Sequence, residues 1–189
     1  LNSFEISKKI WFPKADIIKS FIKKLNMNIK IKKHLLLYKD YKLKCAIGKS
    51  GITNFKKEGD FSTPKGTFKL GKLYYRKDRI RKLNYNFKKK IIKKNMGWCD
   101  DSRSRKYNKE INLPSKFRAE KLYRKDKIYD LLINIEYNYN PAKKNKGSAI
   151  FLHLANKKYS PTKGCIAISK KDFLKLISSI KKNTKISIL

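Results

Sequence analysis

The sequence predicts a mainly β domain with two short helices, one near the N-terminus and one at about residues 170–181. Short runs in which apolar and polar residues alternate are typical of strands. Clusters of Gly, Pro, Asn and Ser separate these runs, as turns and loops require. Only two segments have apolar residues at helical spacing. At 189 residues the chain is the size of one domain, or of one domain with an extension.

The segment 1–27 differs in pattern from the rest of the chain. Apolar residues at positions 17, 18, 21, 22 and 25 form one helical face, and Pro13 precedes them. We therefore interpret residues 1–27 as an N-terminal extension with a short helix that packs on the main domain, 28–189.

Seven runs of the main domain have the alternating or continuous apolar pattern of strands. They are residues 28–38, 41–48, 67–75, 128–137, 148–155, 165–168 and 185–189. Lys39-Asp40 predicts a hairpin turn between the first two, so that His34 lies on a sheet face. The punctuation by Gly, Ser, Thr and Pro predicts a long functional loop over 48–66.

The remaining segments are predicted from turn and capping residues. Residues 76–96 are strongly basic and predict a solvated loop that contains a strand. Gly97-Trp-Cys-Asp-Asp101 predicts a compact polar and aromatic corner, followed by a loop through Pro114. Ser169 is a good N-cap, and the apolar residues after it form one helical face.

The formal net charge of +36 would attract phosphate backbones. However, 43 of the 50 basic residues are Lys, and the chain is rich in Ile, Asn, Tyr and Phe. This composition is also what an AT-rich genome would produce, and nucleic-acid readers favour the bidentate fork of Arg. We therefore expect no dedicated nucleic-acid binding, with a non-enzymatic basic binding protein as an alternative.

Three cysteines, Cys45, Cys99 and Cys165, stand far apart in the chain. Their odd number and spacing predict neither a disulfide framework nor a zinc site. We expect Cys45 and Cys99 to be buried thiols. No apolar run is long enough for a transmembrane segment, and no signal peptide is visible. The oligomeric state cannot be predicted.

His153 lies in an apolar run, and Cys165 begins the next one after the loop 156–164. Such a connection can place two strands side by side and bring an imidazole near a thiol. The imidazole could then favour the reactive thiolate, and backbone N–H groups near Cys165 could hold an oxyanion. The alternative is a small buried thiol and a histidine that belongs to the core.

The stretch Ser148–Ser169, SAIFLHLANKKYSPTKGCIAIS, resembles the signature of the L,D-transpeptidase (YkuD-type) catalytic domain. The matching residues are His153, Thr162, Gly164, Cys165 and Ile166. Upstream, GDFSTPKGTF at 59–68 resembles the TP-x-G-x-F segment of the same family. GWCDD at 97–101 and Tyr107-Asn108 resemble features of a subgroup.

The resemblance implies a β-sandwich-like fold and a peptidoglycan L,D-transpeptidase of the bacterial cell wall. Cys165 would be the nucleophile and His153 its base, and Gly164 with the Cys165 N–H would form the oxyanion site. The acyl-enzyme would form on a tetrapeptide stem with release of D-alanine, and an amine acceptor would resolve it. The resemblance also implies no metal and no cofactor. The implied location is the periplasm or cell envelope. Substrate contacts would come from the loop residues Tyr159, Ser160, Thr162 and Lys163.

Three positions depart from the family pattern. Lys163 stands where a second His is usual, Leu154 replaces Gly or Ser, and Ala167 replaces an Arg or Asn that contacts substrate. These departures leave the acceptor open. Water as acceptor would make the protein an L,D-carboxypeptidase or amide hydrolase. An inactive relative that only binds cell wall is a further alternative, and Trp98, Asp100 and Asp101 could serve either structure or catalysis.

Overall fold

The computed structural model describes residues 28–85 and 88–189. Within these residues the chain forms fourteen strands and one helix. In chain order they are β1 (Ile29–Lys32), β2 (Leu35–Tyr38), β3 (Tyr41–Lys44), β4 (Ile52–Thr53), β5 (Thr63–Pro64), β6 (Gly66–Tyr75), β7 (Lys89–Ile91), β8 (Met96–Cys99), β9 (Glu110–Asn112), β10 (Ala119–Lys121), β11 (Leu131–Ile135), β12 (Phe151–Leu154), β13 (Ile166–Ile168), α1 (Lys170–Ser179) and β14 (Lys185–Ile188).

Nine strands form one mixed sheet in the order β13-β12-β11-β6-β14-β1-β2-β3, with β7 paired to β6 beside this path. Most neighbours are antiparallel, whereas β12–β13, β1–β14 and β6–β7 are parallel. A three-stranded sheet, β10-β8-β9, and the short pair β4–β5 complete the sheets.

The large sheet curls until its two ends meet. Just after the edge strand β3, Ala46 exchanges two backbone hydrogen bonds with Ala167 of the opposite edge strand β13, at 2.8 and 2.9 Å. Gly48 bridges to Thr162 in the same region. These contacts satisfy edge groups that would otherwise be unpaired, as in a barrel.

Two apolar clusters explain why the central strands are buried along their whole length. The larger cluster lies inside the curled sheet and includes Phe173, Leu176 and Ile177 of α1. The smaller cluster, around Trp98 and Phe151, lies between the large sheet and the three-stranded sheet. Because both of their faces are covered, β11, β12 and β13 are buried at every position and are apolar except at Asn134 and His153.

The predicted mainly β class is confirmed, and the helix expected at 170–181 forms over Lys170–Ser179. Ser169 is its N-cap, because its side chain accepts a hydrogen bond from the Asp172 N–H. The expected N-terminal helix and the extension 1–27 lie outside the described residues. Cys45 and Cys99 are buried free thiols, as expected.

Two predictions about strands were wrong. Residues 28–38 form the hairpin β1–β2 rather than one strand, because Lys33 adopts a positive φ of 50° and makes a turn. His34 therefore lies in an exposed turn and not on a sheet face. The region after Gly97 contains β8, β9 and β10 rather than only a corner and a loop.

Candidate active site

Neighbouring parallel strands position His153 and Cys165. In the register of β12 and β13, His153 lies beside Ala167 and Leu152 beside Ile166. Cys165, just before β13, therefore projects from the same face as His153, two residues along. Both side chains line one cavity of about 570 Å³.

The Cys165 thiol is held by backbone groups. Its Sγ donates to the Ala149 carbonyl at 3.2 Å and accepts from the Phe151 N–H at 3.4 Å. Its hydrogen bonds do not include the His153 ring. Burial raises the pKa of this thiol to about 12, although the Phe151 N–H acts in the opposite direction. This environment favours the neutral thiol over the thiolate in the resting site.

The His153 ring has one defined tautomer. Its Nδ1 lies 3.0 Å from the Leu154 carbonyl oxygen, which can only accept, so Nδ1 carries the proton and Nε2 is an unprotonated base. Tyr129 packs edge-on against the ring, with centroids 5.3 Å apart. Burial lowers the pKa of His153 to about 4, which keeps the imidazole neutral at physiological pH.

The loop before Cys165 is braced by Thr162. The Thr162 hydroxyl donates to the Cys165 carbonyl at 2.6 Å and accepts from the Gly164 N–H at 3.1 Å. The Gly164 N–H is thus already engaged. None of the described residues accepts a hydrogen bond from the Cys165 N–H, which leaves that group available to an oxyanion.

The segment 61–64 supports this loop from behind. Gly164 has φ of +128°, and a Cβ there would stand 2.8 Å from the Ser62 carbonyl oxygen. On the other side, the Gly48 N–H donates to the buried Thr63 hydroxyl at 2.8 Å. Two motifs that are far apart in sequence, STPKG and PTKGC, therefore meet behind the loop that precedes Cys165, and Gly164 permits the close approach.

Charged side chains of both signs line the cavity. The carboxylates are Glu58, Asp100 and Glu120, and the cations are Lys56, Arg118, Arg124 and Lys163. Three of these cations form ion pairs. Lys56 pairs with Asp60, Arg118 with Asp100, and Arg124 with both Glu120 and Asp126. Among residues 28–85 and 88–189, only Lys163 of this set has no carboxylate within ion-pair distance.

The four loop residues expected to contact substrate are placed differently. Ser160, Thr162 and Lys163 line the cavity. Tyr159 does not belong to the lining, and its ring lies instead under the Lys44 ammonium group at 4.8 Å. The Tyr159 backbone adopts a positive φ of 53°, and its side chain contacts Lys44 rather than the cavity.

The Trp98 corner serves mainly structure. Trp98 is fully buried and donates to the Asn108 side chain at 2.9 Å. Asp101 binds the Arg103 side chain and also accepts from the backbone N–H groups of Arg103 and Arg118. Asp100, by contrast, lies on the cavity wall.

The sequence analysis missed Glu120, Arg124 and Tyr129, which line the same cavity. The Arg124 guanidinium lies over the Tyr129 ring at 5.3 Å and bonds the Glu120 carboxylate at 2.8 Å. Nothing in the sequence distinguishes these residues from other basic and aromatic positions. Their positions on the cavity wall are set by the tertiary structure, which brings Glu120 on β10 and Tyr129, just before β11, to the same cavity.

In residues 28–85 and 88–189, no group of three or more His, Cys, Asp or Glu side chains could hold a metal ion. Nor does this part of the chain include a helix with the length and apolarity needed to cross a membrane.

Residues 26–188 match the sequence profile of YkuD, the L,D-transpeptidase catalytic domain. No curated protein and no solved structure matches the chain significantly.

Proposed function

Because the chain belongs to the YkuD family of L,D-transpeptidase catalytic domains, we propose that it forms an acyl-enzyme on Cys165 from a peptidoglycan stem peptide. The observation that carries the proposal is the position of Cys165 and His153, which line one cavity from adjacent strands. This acylation would occur in the cell envelope, where proteins of this family act.

The first step begins from a neutral pair. The thiol turns from the Ala149 carbonyl toward Nε2 of His153, which takes its proton as sulfur attacks the stem carbonyl carbon. The imidazolium then gives that proton to the departing amine of terminal D-alanine. Sulfur keeps the acyl group as a thioester. The low pKa of His153, about 4, favours rapid return of the proton to the leaving group.

The Cys165 N–H is the proposed oxyanion donor. Gly164 supports this role because the absence of a Cβ lets the loop pack on Ser62, and the next N–H, that of Cys165, has no acceptor among the described residues. The Gly164 N–H itself is bonded to Thr162. This assignment differs from the expectation that both N–H groups share the oxyanion.

Lys163 is the proposed contact for a substrate carboxylate. The family position for such a contact is Ala167, which has no polar side chain and which pairs with Ala46 across the sheet closure. Lys163 lines the same cavity and has no ion-pair partner among the described residues. It can therefore bind a stem carboxylate without breaking an existing pair.

The acceptor that resolves the thioester defines two versions of this function. Transfer to an amine of a neighbouring stem would make a cross-link. Attack by water would make the protein an L,D-carboxypeptidase or amide hydrolase. Asp100 and Glu120 on the wall are paired with arginines. Glu58 lines the same cavity and has no cation at ion-pair distance among the described residues, so it supports an amine acceptor by attracting an ammonium group.

A carbapenem tests the acyl-enzyme, because its strained amide acylates a cysteine nucleophile. We expect the intact protein to gain one covalent adduct at Cys165, detected by mass spectrometry and peptide mapping. Cys165→Ala should gain none. Cys45→Ala, which removes another buried thiol, should react as the wild type does.

The tetrapeptide stem tests the reaction itself. We expect Cys165→Ala and His153→Ala to reduce D-alanine release by about a thousandfold or more, with a cross-linked dimer as the wild-type product. Release of D-alanine without dimer would assign water as acceptor. Full activity in Cys165→Ser, or an adduct that remains in Cys165→Ala, would contradict the proposal.

A further inference from the structure

A second cavity, of about 700 Å³, shares no lining residue with the first. It opens at a gap in the large sheet. β6 pairs with β14 up to Lys69 and with β7 only from Leu73 onward. Residues 70–72 lie between these pairings and line the cavity.

The floor of this cavity carries a buried amide. Asn134 of β11 is 4% exposed and lines the cavity. Its side chain has no hydrogen-bond partner among residues 28–85 and 88–189. A Cβ at Gly71 would stand 3.1 Å from Asn134 Nδ2, so the bare Gly71 backbone leaves this amide uncovered. The side-chain N and O atoms of Asn134 still reach solvent through the cavity, since Ser148 Oγ is the only fully buried unpartnered side-chain atom among the described residues. Both atoms are therefore available to hydrogen-bond a ligand.

A carboxylate stands next to the amide. The same Gly71 Cβ would lie 3.3 Å from Glu136 Oε1, and Glu136 also lines the cavity. Within the described residues it has no cation at ion-pair distance. Five lysines nevertheless surround the cavity, at positions 69, 72, 88, 181 and 182. The carboxylate is therefore free to accept hydrogen bonds from hydroxyl or amide groups of a ligand.

Aromatic rings form the wall beside these polar groups. Tyr139 stacks on the buried Trp98, with centroids 6.0 Å apart and an angle of 24°. Tyr74 is fixed by a hydrogen bond from its hydroxyl to Glu110 at 3.1 Å. Tyr74 is buried and supports Trp98 from below the wall. Tyr139 is only partly buried, so its fixed ring offers a sugar an apolar surface at little cost in conformational entropy.

We propose that this cavity binds a polysaccharide of amino sugars that carries acidic groups. Sugar hydroxyls and amides donate to Glu136, acetamido carbonyls accept from Asn134, and sugar rings pack on Tyr139. The surrounding lysines attract the acidic groups. A nucleic acid fits less well, because no Arg lines the cavity to hold a phosphate in a bidentate pair.

The identity of the polysaccharide rests on the proposed function. The glycan strand of peptidoglycan is a chain of N-acetylated amino sugars, and its lactyl groups are free carboxylates wherever no stem peptide is attached. Binding it would hold the enzyme near successive stems. The binding itself is independent of Cys165, which lines only the other cavity.

The test uses peptidoglycan glycan strands stripped of stem peptides, titrated into the full chain by isothermal calorimetry. We expect Glu136→Gln to weaken binding about tenfold, because one charge-assisted hydrogen-bond acceptor is lost. Gly71→Ala should weaken it similarly by covering the Asn134 amide. Lys42→Gln removes an exposed charge outside the cavity and should change the Kd by less than about twofold.

Three results would overturn the proposal. The first is no binding of stripped strands by the wild type. The second is an unchanged Kd in both Glu136→Gln and Gly71→Ala. The third is tighter binding of single-stranded DNA that both changes weaken, which would assign the cavity to nucleic acid. Thermal unfolding checks that each variant is folded. If one of the two variants does not fold, the Kd of the other decides the outcome. The carbapenem adduct tests the proposed function separately, because these strands carry no peptide.

Discussion

Among single residues, His153 shows how closely packing controls chemistry. Its ring is held by the Leu154 carbonyl at 3.0 Å and by the edge-on ring of Tyr129. The Arg124 guanidinium lies over the Tyr129 ring, at 5.3 Å from its centroid. Burial lowers the pKa of His153, and the nearby charge of Arg124 lowers it further, so both keep the imidazole neutral.

This burial predicts a pH dependence of stability. The pKa of His153 falls from 6.5 to about 4 on folding. Between these values the unfolded chain binds a proton that the folded chain does not. Stability should therefore be complete above about pH 6.5 and should decrease as pH falls toward 4.

Urea unfolding of the wild type and of His153→Gln, at about pH 7 and about pH 5, measures this effect. The wild type should lose more unfolding free energy over that interval than the variant, which has no imidazole at this position. Carboxylates such as Asp60 and Asp101, whose pKa values are lowered, titrate in both proteins and cancel in the difference. Equal losses would contradict the low pKa.

Among secondary-structure elements, the junction of β12, β13 and the segment 61–64 determines the site. β12 supplies His153, and the turn before β13 supplies Cys165. The segment 61–64 fills the space behind that turn, where only a glycine at position 164 allows contact with Ser62. The geometry of the site therefore depends on the close packing of the Gly164 backbone against Ser62 as much as on side chains.

The helix α1 follows β13 directly and closes one side of the core. Its N-cap, Ser169, accepts from the Asp172 N–H at 3.0 Å, and its hydroxyl donates to the Asp172 carboxylate at 2.7 Å. Ser169→Ala should lower the unfolding free energy by about 1 kcal/mol, measured by urea denaturation.

Ser178→Ala is the matched control for this helix. Ser178 is exposed, and its hydroxyl bonds only the Lys175 carbonyl of the same helix. We expect a change within about 0.5 kcal/mol. A loss at Ser178 as large as that at Ser169 would show that the cap does not account for the effect.

The molecule as a whole has a formal net charge of +36, and this charge acts over its entire surface. A long-range attraction of this kind favours any polyanion, and it is screened by salt. The two cavities differ from that general field because each contains carboxylates, Glu120 in the first and Glu136 in the second. We therefore expect specific recognition to depend on the cavities rather than on the surface charge.

A titration with duplex DNA distinguishes non-specific attraction by the net charge from dedicated nucleic-acid binding. We expect gel-shift affinity to fall by about a thousandfold between roughly 50 and 200 mM salt and to be the same in Cys165→Ala. Tight, sequence-dependent binding that persists at the higher salt would favour the non-enzymatic alternative.

The sequence by itself determined the mainly β class, the helix after Ser169 and the family resemblance. These features depend on local periodicity, capping and motifs, which neighbouring residues encode. It also named Cys165 and His153 as candidates. It did not separate β1 from β2, because the turn at Lys33 has no Gly, Asn or Pro to mark it.

Only the tertiary structure decided the protonation of the candidate pair and the residues around it. Burial of Cys165 and His153 comes from distant elements, since Tyr129 precedes β11 and Glu120 lies on β10. The same holds for the second cavity, which exists because β14 and β7 leave a gap along β6. Desolvation and enclosure arise from contacts between remote segments, and a linear pattern of residue types does not contain them.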